Sequence, residues 1–170
     1  MKNQAIYSST KKIELNSFFC LKVSDKKTKS ENMKERTFVI LKPDCIEKHL
    51  VADVIARLTK PGFEIVALKM TQLNESILQE HYAHIVGKPY YPPLVEFMQR
   101  KPVIMLVLEG VDVVAKVRKL LGPTNSQEAP AGTIRGDFGE NTRENICHAS
   151  DSVENAQIEI ARFFKSEEVF

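Results

Sequence analysis

From Arg36 onwards, short apolar runs alternate with stretches in which apolar residues recur at helical spacing. The apolar runs have the length of buried strands and lie at residues 38–41, 65–70, 103–108 and 146–148. Helical spacing is found at residues 50–58 and 111–121. Three further helices have a recognisable start: one is capped by Asn74 and runs through Tyr82, one begins at Pro92 and runs through Met98, and the last is capped by Ser152. This order predicts one mixed domain with about four strands, and the pattern leaves open whether they are parallel or antiparallel.

Residues 122–144 show no clear period and are rich in glycine, proline, threonine and asparagine. A loop of this length inside a compact domain is usually functional. We therefore expect this segment to contribute to a site rather than only to connect two elements.

Composition narrows the class of protein. A chain of 170 residues can bury a core without disulfides. Its three cysteines, Cys20, Cys45 and Cys147, are odd in number and show no Cys-x-x-Cys spacing, which argues against a disulfide framework and against a zinc site. No apolar run approaches the roughly 20 residues that a membrane helix needs. We expect a soluble protein of a reducing compartment, the cytoplasm, with no membrane partner.

The N-terminal segment, residues 1–32, differs from the rest in charge. It holds seven lysines against three acids, so its charge is 7 − 3 = +4, and the remainder of the chain carries 2 − 4 = −2. The body is thus not a basic nucleic-acid binder. We interpret residues 1–32 as an extension that is disordered or translated from a misassigned start, with Met33 as the initiator, and residues 33–170 as the folded domain. A targeting peptide is the third explanation, but the segment lacks arginine and carries acids, unlike a mitochondrial transit peptide.

His148 is the strongest candidate for chemistry. It lies between Asn145 and Ser150, and Arg135 precedes it in the glycine-bracketed part of the long loop. A neutral imidazole is available near neutral pH because its ordinary pKa is about 6.5, and it can attack phosphorus. Lys42 follows a predicted strand, where its ammonium could meet an anion. Taken singly, such a histidine is more often packed in a polar corner and such a lysine is solvated. The chain has no Gly-x-x-x-x-Gly-Lys loop, so it is not a P-loop protein.

Several motifs taken together resemble the nucleoside diphosphate kinases. They are TFVILKPD at residues 37–44, EHY at 80–82, KPYYP at 88–92, Arg118, Thr124 with Asn125, GTIRGDF at 132–138 and NICHASDS at 145–152. Their order and spacing match that family over residues 35–170. The resemblance implies a ferredoxin-like α+β sandwich, in which helices cover a four-stranded antiparallel sheet. It also implies ping-pong transfer of the γ-phosphoryl group from a nucleoside triphosphate, mainly ATP, to nucleoside diphosphates, which maintains nucleoside triphosphate pools.

The resemblance also implies roles for particular residues. The phosphorylated residue is His148, and Glu159 holds the other nitrogen of its imidazole. The phosphates are bound by Lys42, Arg118, Thr124 and Arg135. The nucleophile, the sugar hydroxyls and the transferred phosphate are contacted by Tyr82 and Asn145, whereas the base is stacked by Tyr90 and Leu94. Ser150 would stabilise the turn at the histidine. Magnesium would arrive with the nucleotide, with Asp151 contacting it through water and no dedicated protein metal site.

Homo-oligomers, tetramers or hexamers, are implied by the same resemblance. The chain departs from the family pattern at a few positions, which are Cys45, His84, Ser126, Thr142 and Ala149. Cys45 stands where glycine is common, which would alter the turn if a positive φ were needed there. The alternative function is that of a catalytically weak relative acting as a regulatory module. The retained nucleophile and cations favour the enzyme, because such groups act as one unit.

Overall fold

The computed structural model describes residues 34–170. Its strands are β1 (Lys34–Leu41), β2 (Glu64–Thr71), β3 (Val103–Val111) and β4 (Cys147–Ala149). Its α-helices are α1 (Pro43–Glu47), α2 (Val51–Thr59), α3 (Glu75–His81), α4 (Tyr91–Gln99), α5 (Val113–Leu121), α6 (Ile134–Phe138) and α7 (Val153–Phe163). Short 3₁₀ turns lie at Ala83–Ile85, Ser126–Glu128 and Ser166–Glu168. The predicted N-terminal extension lies outside the described residues, and the domain division stays a prediction.

The four strands form one antiparallel sheet in the order β2-β3-β1-β4. With helices on both faces, this is the predicted ferredoxin-like α+β sandwich. The inner strand β1 pairs with β3 along its whole length and with β4 at Val39–Ala149 and Leu41–Cys147. The pairing with β4 places His148 opposite Ile40 on a central strand. The nucleophile candidate therefore lies on a three-residue edge strand that is anchored to the inner strand β1.

Residues 38–41 of β1 are completely buried, which explains why they read as one continuous apolar run. Their side chains alternate between two cores. Val39 and Leu41 pack with α2 and α5 on one face, whereas Phe38 and Ile40 pack with α3, α4 and α7 on the other. The sheet is thus held between two apolar layers.

None of the helices in the part of the chain that the structure describes is long and apolar enough to cross a membrane.

The predicted helix over residues 111–121 begins two residues later. Val111 is still paired with Lys34, and Asp112 takes a left-handed conformation with φ 54° before α5 starts at Val113. The predicted strand over 146–148 is displaced by one residue, because Ile146 has φ 72° and does not continue the ladder. The segment 122–144, expected to lack a period, contains the five-residue helix α6, and α1 follows directly after Lys42.

Candidate active site

All the predicted site residues line one cavity of about 830 Å³. They come from every layer of the fold and are Lys42, Tyr82, Tyr90, Leu94, Arg118, Thr124, Arg135, Asn145, His148, Asp151 and Glu159. Further side chains of the same wall that the sequence had not assigned to a site include His81, Arg143, Asn155, Ile158 and Arg162. The cavity lies where β4, the long loop before it and α7 meet the segment between α3 and α4.

The backbone in front of His148 is held in an unusual conformation. Ile146 is β-branched and buried, yet its φ is 72°, in the left-handed region that such residues rarely adopt. Its N–H donates to Oδ2 of Asp44 at 2.9 Å, and its carbonyl accepts the N–H of Lys42 at 2.9 Å. A conformation of this kind persists only where neighbouring groups determine it. The segment Lys42-Pro43-Asp44 therefore fixes the start of β4.

Glu159 on α7 holds the imidazole of His148. Its Oε1 lies 2.9 Å from Nε2 of His148, and its Oε2 accepts a short hydrogen bond from the Ser150 hydroxyl. Burial acts to raise the pKa of Glu159, but the hydrogen bonds from His148 and Ser150 outweigh it and the pKa is lowered. An ionised Glu159 can only accept a hydrogen bond, so Nε2 carries the hydrogen and the neutral ring keeps the lone pair on Nδ1.

Ser150 connects His148 and Glu159 to strand β1. Its backbone N–H donates to the carbonyl of Phe38 at 3.1 Å, and its Oγ accepts the N–H of Phe38 at 3.2 Å. The neighbouring Ser152 caps α7 through the N–H of Asn155 at 3.1 Å. The predicted role of Ser150 at the histidine turn therefore has a geometric basis, since one hydroxyl links β1, the turn and Glu159.

His81 forms a buried part of the cavity wall, and the sequence had not assigned it to the site. Its ring meets His148 edge-on, with centroids 5.0 Å apart and planes at 85°. Burial, and then the proximity of His148, lower the pKa of His81 to about 3, so the ring is neutral. These two histidines and Glu159 are residue types that can bind a metal ion. One possible ligand atom from each of His81, His148 and Glu159 lies within 4.8 Å of the other two. However, the Arg162 guanidinium lies 3.5 Å from Nδ1 of His81, and this cation disfavours a metal ion there.

Lys42 and Asn145 form the polar floor of the cavity. The Lys42 side chain is buried, and its Nζ donates to Oδ1 of Asn145 at 2.6 Å and to the carbonyl of Arg143 at 3.2 Å. The Asn145 amide donates in turn to the carbonyls of Thr124 and Thr142, both at 2.9 Å. Burial, and secondly the positive charge of Arg135, lower the pKa of Lys42 to about 8. The ammonium is thus held in a largely desolvated position, where its charge acts strongly on an anion.

The two arginines differ in how they are held. Arg135 is buried, and its Nη atoms donate to the carbonyls of Gly122 at 2.9 Å and Cys147 at 2.8 Å, so its charge is fixed in place. Its Nε is buried without a hydrogen-bond partner. Arg118, by contrast, is exposed on α5 at the mouth of the cavity. One guanidinium therefore belongs to the rigid floor, and the other can reach a ligand.

The opposite wall is made of apolar and aromatic side chains. Tyr90 precedes α4 and is 53% exposed, while Leu94 lies half-buried in the first turns of α4. Tyr82, after α3, packs on the core below them, and burial followed by the charge of Glu159 raises the pKa of its hydroxyl. Asp151 is exposed on the rim, where its Oδ1 accepts the Asn155 amide at 2.6 Å, and this bond lowers its pKa.

The departures from the family pattern are accommodated without strain at the backbone. Cys45 lies within α1, its φ is not positive, and its side chain is buried in the core, so no glycine conformation is required at this position. Ser126 is buried and its hydroxyl donates to the carbonyl of Asn141 at 3.1 Å. Ala149 is buried on β4, whereas His84 and Thr142 are exposed on the cavity wall.

Comparison with known proteins gives the same class as this geometry. The nucleoside diphosphate kinase family model matches residues 35–169. A nucleoside diphosphate kinase of Methanocaldococcus jannaschii is 48% identical over 138 residues, which are 81% of this chain and 99% of that protein. The solved structure of the Aquifex aeolicus nucleoside diphosphate kinase matches with a TM-score of 0.78 at 40% identity, over 81% of this chain and 100% of that one.

A halophilic nucleoside diphosphate kinase from Halobacterium salinarum, solved in complex with CDP, matches with a TM-score of 0.78 at 39% identity, over 81% of this chain and 92% of that one. The site and the fold define a nucleotide-dependent phosphotransferase. The chain belongs to the nucleoside diphosphate kinase family, whose members move a phosphoryl group from nucleoside triphosphates to nucleoside diphosphates.

Proposed function

We propose that His148 is the phosphorylated residue of this enzyme and that Nδ1 is the attacking atom. The observation that carries the proposal is the 2.9 Å contact between Nε2 of His148 and Oε1 of Glu159. It leaves Nδ1, which has no hydrogen-bond partner among the described residues, on a cavity that also holds the charges of Lys42, Arg118 and Arg135. A nucleophile, its orienting group and its charge-stabilising groups together form a phosphoryl-transfer site.

In the first half-reaction, the Nδ1 lone pair attacks the γ-phosphorus of a nucleoside triphosphate, mainly ATP. The bond between the γ-phosphorus and the bridging oxygen breaks, and the electron pair leaves with the diphosphate. The ring then carries a positive charge that the ionised Glu159 stabilises through Nε2–H. In the second half-reaction, a terminal oxygen of another nucleoside diphosphate attacks the phosphorus, and the N–P electron pair returns to Nδ1. The enzyme thereby maintains nucleoside triphosphate pools.

The phosphates are bound by the cations of the floor and mouth. Lys42 and Arg135 supply fixed positive charge, and Arg118 with Thr124 closes on the phosphates from the rim. Tyr82 and Asn145 contact the nucleophile, the sugar hydroxyls and the transferred phosphate. Because the Asn145 amide is already bonded to the carbonyls of Thr124 and Thr142, a sugar hydroxyl meets a group whose orientation is fixed.

Magnesium would enter the site as part of the nucleotide substrate. The donor chemistry of the rim fits such a complex, since the Asp151 carboxylate is exposed beside the cavity and its pKa is lowered by its hydrogen bond from Asn155. An ionised carboxylate at that place can accept hydrogen bonds from magnesium-bound water. The ion supplies neutralisation of phosphate charge.

The base stacks on Tyr90 and Leu94, whose contact is with a π-face or an apolar edge and so does not depend on which base is bound. The CDP complex of the Halobacterium salinarum relative supports nucleotide binding in this fold. We also propose a cytoplasmic homo-oligomer, a tetramer or hexamer. Its support is the outer strand β2, on which Leu68 is 51% and Met70 55% exposed.

The test is to incubate the purified chain with ATP and magnesium in the absence of an acceptor and to measure intact mass. One acid-labile phosphoryl group is expected, and it should discharge onto added GDP. His148→Ala should carry none, whereas His84→Ala, which removes an exposed histidine from the same cavity wall, should keep it. Nucleotide binding without any phosphoryl group on the unsubstituted chain would overturn the proposal in favour of a regulatory module.

A further inference from the structure

We propose that Asp44 is a positioning residue for phosphoryl transfer, because its one carboxylate fixes the backbone turn in front of His148, while its negative charge acts on the Lys42 ammonium at longer range, without a direct ion pair. The proposal rests on the proposed roles of His148 and Lys42. Asp44 does not belong to the cavity wall and would touch no substrate. It lies on α1, is 1% exposed, and acts through its two neighbours.

The first action is geometric. Oδ2 of Asp44 accepts the N–H of Ile146 at 2.9 Å across 102 positions of the sequence. Ile146 is fully buried at φ 72°, a conformation that costs on the order of 1–3 kcal/mol for a non-glycine residue. Without an acceptor at that place, the buried N–H would be unsatisfied and the turn could relax towards an ordinary strand.

Relaxation of this turn would reach the nucleophile directly. Ile146 is followed by Cys147, the first residue of β4, and then by His148. It is also preceded by Asn145, which orients the Lys42 ammonium at 2.6 Å. Because side chains of a strand alternate between faces, a change of register at Ile146 would turn His148 away from the cavity. The Asp44 hydrogen bond therefore helps to hold the imidazole on the cavity side of the sheet.

The second action is electrostatic. Burial and the charge of Arg135 lower the pKa of Lys42 to about 8, and the charges that oppose this are those of Asp44 and Cys147. Burial raises the pKa of the Cys147 thiol to about 12, so Cys147 is uncharged at neutral pH. Burial also raises the pKa of Asp44, against which the Ile146 N–H and Lys42 act. The Lys42 Nζ is bonded to Asn145 and to the carbonyl of Arg143, so Asp44 acts on it at longer range. Because Cys147 is uncharged, Asp44 is the group whose negative charge favours the protonated form of Lys42.

The two actions can be separated by two substitutions. Asp44→Asn keeps an oxygen that can accept the Ile146 N–H but removes the charge, so the Lys42 pKa should fall. The alkaline limb of the profile of kcat/KM against pH should then move to lower pH by about one unit. Asp44→Ala removes the acceptor as well, so the pH-independent maximum of kcat should also drop, by about ten- to a hundredfold. Asp53→Asn, at an exposed carboxylate on α2, is the matched control and should leave the profile in place.

The outcomes separate this inference from the proposed function. An inactive wild-type chain, or one that carries no phosphoryl group on His148, contradicts the proposed function itself. A wild-type chain that forms the phosphohistidine while Asp44→Asn gives an unshifted profile overturns the electrostatic part alone. Equal maxima for Asp44→Ala and Asp44→Asn overturn the geometric part. A loss that appears in stability but not in kcat or in the pH profile assigns Asp44 a purely structural role and also overturns the inference.

A measurement on the unsubstituted chain covers the case in which the variants do not fold. In nuclear magnetic resonance, the amide signal of Ile146 should titrate together with the carboxyl signal of Asp44 as the pH is lowered. The Lys42 side-chain signal should titrate near pH 8, well below the ordinary lysine value of 10.5. An Ile146 amide that is indifferent to the Asp44 titration would overturn the positioning role.

Discussion

The two walls of the cavity are built in opposite ways. On the side of His148, the polar groups are buried or half-buried and joined by hydrogen bonds, from Ser150 through Glu159 to the imidazole and from Lys42 to Asn145. On the side of α4, Tyr90 is 53% exposed and presents an aromatic face to solvent. The first wall allows few arrangements of its side chains, whereas the second allows many.

This difference matches the part of the nucleotide that we propose each wall binds. The transferred phosphoryl group is the same in every nucleotide, so the groups around it can be fixed in advance, and fixed dipoles and charges lose little on reorganisation. The base differs between nucleotides, and an exposed aromatic face accepts each of them. We therefore expect substitutions on the first wall to act on kcat and those on the second wall to act on KM.

The largest effect should come from Glu159, the residue that we propose orients the nucleophile. Glu159→Ala removes the acceptor of Nε2–H, so the imidazole loses its preferred tautomer and the developing positive charge loses its stabilising anion. We expect kcat to fall by about 10²- to 10⁴-fold, with little change in KM. Glu159→Gln is the matched control, because its amide oxygen can still accept the hydrogen while the charge is lost. It should retain an intermediate rate. A Glu159→Ala variant as active as the wild type would contradict the proposed difference between the two walls.

Much of this architecture is readable from local patterns. The run at residues 38–41 is apolar because both of its faces are covered, and β4 was displaced from its predicted position by one residue. The site residues followed from the family motifs, and the structure brings them to one cavity. What the patterns could not contain are conformations that depend on distant partners. Ile146 has a strand-like side chain, yet its φ is left-handed and its N–H donates to a carboxylate 102 residues away.

The missed elements have physical causes too. The helices α1 and α6 have five residues each, too few for a helical period to be recognised. The run from Val111 to Val114 is apolar except for Asp112, which is its one sign that a strand ends and a helix begins. The place of His81 in the site was also not predicted, because a histidine on an apolar helix face carries no local sign that its ring will contact a second histidine.

The second prediction tests whether solvent is excluded from the wall that contains His148. His81 is buried and neutral, with its pKa lowered from 6.5 to about 3. Between these two values the unfolded chain binds a proton that the native state does not, so the free energy of unfolding falls as the pH drops through 6.5 towards 3. The contribution of His81 is about 1.4 kcal/mol per pH unit within that window and is fully present above it.

His81→Phe keeps a ring against Phe38 and Phe163 but binds no proton. Denaturant unfolding at a series of pH values should therefore give a shallower decline between pH 6.5 and pH 4 for this variant than for the wild type. Parallel declines would mean that solvent reaches His81 in the native state. The contrast between a closed wall and an open wall would then be lost.

The smallest effect belongs to the open wall. Tyr90→Ala removes the aromatic face on which we propose that the base stacks, and stacking of one base is worth about 1–3 kcal/mol. Because this contact is made equally in the ground state and in the transition state, KM should rise roughly tenfold while kcat is kept. The rise should be similar for ATP, GTP and CTP, since a π-face is common to all three. Tyr90→Phe retains the ring and should behave as the wild type. A penalty confined to one nucleotide would instead assign Tyr90 a hydrogen bond to that base, and the second wall would then discriminate as sharply as the first.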